Sequence, residues 1–272
     1  MSNLTVQNTT EDNVKRLKLI FLSFGLSFSL FFTKIFANSN SSVDIYVVGA
    51  IYALIAMVGL LWAFNFKVRR KSFKYLFQGS LFVFSEVVFV LLFFFKQFDR
   101  IYEGVLLLLL LIFLWGITYS CFLMVNIFNV SLFKDLPLLN VAQTASYILT
   151  LLMIYFLTFG ILASGFSIYI IFPILLLVYI FLLYMQFNEI GIEKSHVWYV
   201  VITIALMNIS LLLPFTFVSS NHEVISIVPT IGGFVGGGIL TLNSKENNKW
   251  QLFGYNLLIL IVIFIAVYIS WF

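Results

Sequence analysis

Nine stretches of about twenty mainly apolar residues recur along the chain, and they leave it one class of fold. A helix rises about 1.5 Å per residue, so about 20 residues cross a hydrocarbon core about 30 Å thick. Inside lipid no water satisfies the backbone, so a spanning segment is either a helix or part of a closed barrel. The period-two alternation of barrel strands is absent. The expected fold is therefore all-α, a polytopic transmembrane helix bundle.

The first two segments run from about Leu17 to Phe36 and from Asp44 to Phe66. The third begins at the basic cluster of Lys67, Arg69, Arg70, Lys71 and Lys74 and ends at Lys96. The next four run from about Tyr102 to Val125, Leu138 to Leu162, Ser167 to Phe187 and Trp198 to Phe217. The eighth, Val224 to Leu242, is the least hydrophobic, and the ninth is Leu252 to Phe272. Nine spans are expected, with eight spans plus a re-entrant eighth segment as the alternative. Residues 1–14 are polar and are expected as a disordered cytosolic tail, with 15–272 as a single transmembrane helical domain.

Charge orients this arrangement. With nine spans and a cytosolic N-terminus, twelve Lys and Arg fall on the cytosolic side and three (Lys34, Lys96 and Arg100) on the outer side. That is the bias that sets orientation in the cell membrane, and it puts the C-terminus outside. If the eighth segment does not span, Lys245 and Lys249 change sides and the split becomes ten against five.

Composition closes the alternatives. The chain is 62% hydrophobic and 10% charged, with mean hydropathy +1.09. A soluble domain carries about 25% charged residues, so this chain lacks the polar surface to cover a water-soluble core. The net charge of +4 lies beside apolar segments, where topology explains it better than nucleic-acid binding. The expected partners are the lipid bilayer and other membrane or ATPase subunits, with no nucleic acid. A single cysteine, Cys121, excludes an internal disulfide and a cysteine-built metal site. His196 and His222 fall on opposite faces, so no metal and no cofactor are expected.

Glu86 is the one acid near the middle of a span. A charge there costs a few kcal/mol (about 2.5–3.5 on insertion scales), so such residues face the bundle interior. Gly79, seven residues earlier on the same helical face, offers a close approach to a neighbouring helix. Glu86 reads as a proton- or cation-handling acid, or as a neutral acid hydrogen-bonded to another helix. Asn208, at similar depth on the seventh segment, is its expected partner.

Two polar stripes accompany it. Trp115, Thr118, Tyr119, Asn126 and Asn129 fall at helical spacing on the fourth segment, and Asn140, Gln143, Thr144, Tyr147, Thr150 and Thr158 on the fifth. Together they are expected to line a hydrated groove that opens to the cytosol and reaches toward Glu86. The competing reading is interhelical hydrogen bonding at about 0.6 kcal/mol per bond. On the eighth segment, Gly232 with Gly236 and Gly233 with Gly237 form two G-x-x-x-G pairs after Pro229. These serve close helix packing or, if the helix is broken, ion binding by freed backbone groups.

No catalytic residue is assigned. The four aspartates (Asp12, Asp44, Asp99 and Asp135) are isolated from one another, and no H-E-x-x-H or G-x-S-x-G occurs. Three functional readings stay open. The first is a small-solute, ion or lipid-linked transporter, or the membrane subunit of one. The second is a non-catalytic structural, assembly or sensor subunit of a larger membrane complex. The third is a membrane-embedded lipid-modifying enzyme using Glu86. A hydrated path to Glu86 favours transport. A dry core with Glu86 capped by a hydroxyl or by Asn208 favours the structural role.

Overall fold

A computed structural model describes residues 2–36, 42–94, 104–131, 139–189, 194–218 and 221–243. The ninth segment lies outside the described residues. Those residues are helical, with no strand. The helices are α1 (Ser2–Phe36), α2 (Ser42–Ala63), α3 (Phe73–Phe89), α4 (Gly104–Ser131) and α5 (Leu139–Ala163). They continue with α6 (Ile168–Glu189), α7 (Lys194–Val218), the single turn α8 (His222–Ile225) and α9 (Ile227–Asn243). Among the described residues, seven helices, α1 to α7, are long and apolar enough to cross a membrane.

Several boundaries differ from the sequence reading. α1 begins at Ser2, so residues 2–14 of the stretch read as a tail fall in α1; no proline or glycine interrupts the chain before Gly25. α2 stops at Ala63 rather than Phe66, because Asn65 and Phe66 take φ of 54° and 57° and turn the chain. α3 passes into a π-helical turn, Val90–Phe94, immediately after the turn that carries Glu86. The eighth segment begins in the single turn α8 and, after Ser226, runs unbroken through α9. Pro229 is its third residue, where the missing N–H has no intrahelical acceptor to lose.

The chain divides into two compact units, Met1–Ser146 and Tyr147–Phe272. In the first unit α2 packs along α3, α3 against α4, α4 against α1 and α1 against α2, which closes a four-helix ring. α3 carries the buried centre, with Leu76, Phe82, Val83, Val87 and Val88 almost inaccessible. A Cβ at Gly79 would stand 3.1 Å from Val125 on α4 and 3.2 Å from Leu60 on α2. The glycine therefore permits the close three-helix approach that its position suggested. In the second unit α7 packs against both α6 and α9. Gly165, at φ 75°, sits in the link between α5 and α6.

Polarity in both units is inverted relative to a water-soluble bundle. Phe21, Phe28, Leu54, Val58, Phe113, Leu177 and Leu206 are exposed, whereas Ser23, Gln78, Ser85, Glu86, Thr158, Gln186 and Asn208 are buried. Water would reject that surface, and lipid tails accept it. Such a surface is compatible with membrane embedding.

Candidate functional site

Glu86 lies at the inner face of the four-helix ring. Its side chain is 5% exposed, and its cap is Thr118 on α4, with Thr118 Oγ1 and Glu86 Oε2 2.8 Å apart. The same hydroxyl stands 2.8 Å from the carbonyl oxygen of Leu114, one turn back on α4. A hydroxyl has one proton and two acceptor lone pairs. As donor to both, Thr118 would share one proton between Glu86 and Leu114, whereas each contact is a full hydrogen bond if Thr118 donates to Leu114 and accepts from a protonated Glu86. The geometry therefore fits a neutral carboxylic acid whose Oε2 carries the donated proton. Oε1 has no protein partner. A bare buried oxygen costs far less on a neutral acid than on a carboxylate.

The space beside the carboxyl is a pocket of about 10 Å³ lined by Leu26, Ser27, Leu30, Tyr52, Val83, Glu86, Val87, Leu114 and Thr118. All four helices of the ring contribute to that wall, and most of it is apolar. It does not form the broad polar groove expected to join Glu86 to the cytosol.

The polar stripes part company. On α4, Thr118 and Asn129 are buried, and Tyr119 is half-buried. Asn129 Oδ1 accepts from the Ser72 hydroxyl at 2.7 Å. Asn126 Oδ1 and Trp115 Nε1 are buried without a partner. At the start of α5, Asn140 and Thr144 are exposed and Gln143 is half-buried, with the Thr144 hydroxyl returned to the Asn140 carbonyl. Farther along α5, in the second unit, Tyr147 donates to the Phe234 carbonyl on α9 at 2.6 Å. Thr150 donates to Gln186 on α6 at 3.2 Å. The fifth segment thus spends its polar groups on several neighbours rather than on one groove, because successive positions on a helix turn by about 100°.

Asn208, proposed from sequence as a partner for Glu86, belongs to the second unit. It is fully buried in the second unit, and both its amide atoms lack a hydrogen-bond partner. It fills the notch left by Gly232, where a Cβ would overlap Asn208 Oδ1. Three further glycines of α9 serve close approaches as well. A Cβ at Gly236 would meet Ile204 at 2.7 Å, one at Gly237 would meet Tyr147 at 2.7 Å, and one at Gly233 would meet Ile154 and Leu151 at 3.3 Å.

Several polar groups escaped the sequence reading. Gln78 on α3 donates to Ser146 at 3.1 Å, so α3 makes polar contacts along its length through Gln78 and Glu86, with Ser72 just before its start. Tyr179 on α6 stands 2.8 Å from Thr158, whose hydroxyl also lies 2.6 Å from the Ile154 carbonyl. Thr158 therefore accepts from Tyr179 and donates to Ile154, repeating the arrangement at Thr118. A lone Gln in an apolar run, and Tyr and Thr at span depth, were the available signals. Among the described residues, no group of three or more His, Cys, Asp or Glu is placed to hold a metal ion. The chain matches no protein-family model, no curated protein and no solved structure.

Proposed function

We propose that this integral membrane protein is a non-catalytic membrane subunit of a larger assembly, in which Glu86 is a neutral acid that fixes the register of α3 against α4. One observation carries the reading. The carboxyl is capped by the Thr118 hydroxyl at 2.8 Å, beside a small pocket whose wall is otherwise leucine and valine apart from Ser27 and Tyr52. A residue of this type at membrane depth forces its helix to face inward, because lipid penalises the alternative. The bilayer is the protein's solvent, and its candidate partners are further membrane or ATPase subunits. The orientation that goes with this reading has the N-terminus and the Lys67–Lys74 cluster in the cytosol. The hydrogen bond from Lys18 Nζ to Asn65 Oδ1 at 2.6 Å supports it, since it brings the basic residues that open the first span to the same end as that cluster.

Transport through the chain itself is the second reading. Its support is the unpartnered Glu86 Oε1 at the pocket. Reconstitution into vesicles carrying a pH-sensitive dye separates the two. The structural reading expects the wild type and Glu86→Gln to leave proton flux at the level of empty vesicles. Flux in the wild type that Glu86→Gln abolishes overturns it in favour of transport.

A further inference from the structure

We infer that the pocket at the centre of the first unit holds one resident water molecule, which donates a hydrogen bond to Glu86 Oε1 and is itself bonded by Ser27 and Tyr52. The inference rests on the reading of Glu86 as a neutral acid, in which Oε2 is the donor to Thr118 and Oε1 is a carbonyl oxygen awaiting a donor.

Three observations converge on the site. Glu86 Oε1 is buried without a protein partner. The pocket it lines has a volume of about 10 Å³. A buried water needs about 10–15 Å³ by the same kind of measure, so there is room for one and not for a file of them. The wall also carries three hydroxyl-bearing side chains, Ser27 on α1, Tyr52 on α2 and Thr118 on α4, each buried. Thr118 is already committed in both directions. Ser27 and Tyr52 complete the two to four partners that a buried water requires.

A neighbouring pocket of similar volume is the contrast. It shares Ser27, Leu30 and Leu114 with the first, and its other walls are Phe31, Val90, Leu110 and Leu111. With one hydroxyl and no unsatisfied acceptor, that pocket stays dry, because an apolar cavity does not retain water. The water is therefore specific to the carboxyl. It links α3 to α1 and α2, where the direct bond links α3 only to α4. One acid in this way ties together all four helices of the ring.

Infrared difference spectroscopy on the full chain in nanodiscs tests this, with Glu86→Gln used to identify the carboxylic-acid carbonyl band. In the wild type that band is expected at the lower frequency of a hydrogen-bonded acid, accompanied by a water O–H band that shifts in ¹⁸O-labelled water. Both features vanish in Glu86→Gln. Tyr52→Phe and Ser27→Ala are each expected to move the carbonyl band upward as the water loses an anchor. A wild-type band already at the free-carbonyl frequency, with no ¹⁸O-sensitive partner, overturns the water while leaving the neutral acid standing. A carboxylate signal with no acid band overturns both. The wild-type spectrum decides the matter even if a variant fails to fold.

Discussion

Thr118 Oγ1 stands 2.8 Å from Glu86 Oε2 and 2.8 Å from the Leu114 carbonyl oxygen, and with Glu86 as the proposed neutral acid the hydroxyl accepts from the acid on α3 while donating to the carbonyl on α4. The direction of that bond has consequences for stability. Glutamine keeps a donor at the same place, since its amide N–H₂ replaces the acid O–H. Valine at position 118 removes the acceptor and leaves Glu86 without any partner in the protein.

Thr118→Val is therefore expected to cost about 1–3 kcal/mol, the penalty of an unsatisfied buried polar group. Glu86→Gln is expected to cost no more than about 0.6 kcal/mol, the mean value of an interhelical bond in a membrane protein. Reversible unfolding in mixed micelles measures both. Equal losses, or a larger loss for Glu86→Gln, mean that the acid is ionised and that the proton count at Thr118 is wrong.

The pair on α5 and α6 follows the same logic. Tyr179→Phe leaves Thr158 still bonded to the Ile154 carbonyl, so the loss is expected near about 0.6 kcal/mol. Thr158→Val strands the fully buried Tyr179 hydroxyl and is expected to cost more, about 1–3 kcal/mol. The same unfolding assay ranks the two, and an inverted order refutes this arrangement.

Which parts of this could be read from residues alone follows from the kind of signal each one leaves. Helix existence was legible because length and apolarity are local properties, and α5 and α6 begin and end within two residues of the segments read from sequence. The turn after Ala63 was not, since Asn65 and Phe66 enter left-handed backbone without a glycine to announce it. Glu86 stood out by its cost. Its partner did not, because depth along a span says nothing about which helix lies alongside. Asn208 has the right depth and belongs to the other unit, whereas Thr118 was one of many hydroxyls. A shared stripe is a weak signal of a groove for a related reason. Asn140 and Tyr147 share a stripe on a helical wheel, yet Asn140 is exposed and Tyr147 reaches α9.

Asn208 and Gly232 are coupled by volume. Gly232→Ala places a methyl group on Asn208 Oδ1 and is expected to destabilise the second unit by about 1–3 kcal/mol, as overpacking does. Shortening the amide should relieve it, so Gly232→Ala combined with Asn208→Ala is expected to be less destabilised than the two single effects added together. Strict additivity in that double-mutant cycle places Asn208 away from α9.

Orientation is open to direct chemical test, and the chain is well suited to it. Its single cysteine, Cys121, is buried within α4, so the wild type offers a low background to a membrane-impermeant thiol reagent. Lys67 and Arg70 are exposed at the α2–α3 turn, where a substituted cysteine is open to reagent. On the proposed orientation the charge bias puts this turn in the cytosol. Lys67→Cys and Arg70→Cys are therefore expected to stay unlabelled in intact cells and to react fully once the membrane is opened. The basic residues of the first span make the assignment more robust. Lys18 is tied to Asn65 and lies 4.7 Å from the centre of the Trp62 ring, so the start of the apolar part of α1 and the end of α2 share one membrane face. A cysteine at Arg16 should follow the same labelling pattern as one at Arg70. Labelling of both from outside inverts the protein in the membrane, and labelling of one without the other breaks the antiparallel pairing of α1 and α2.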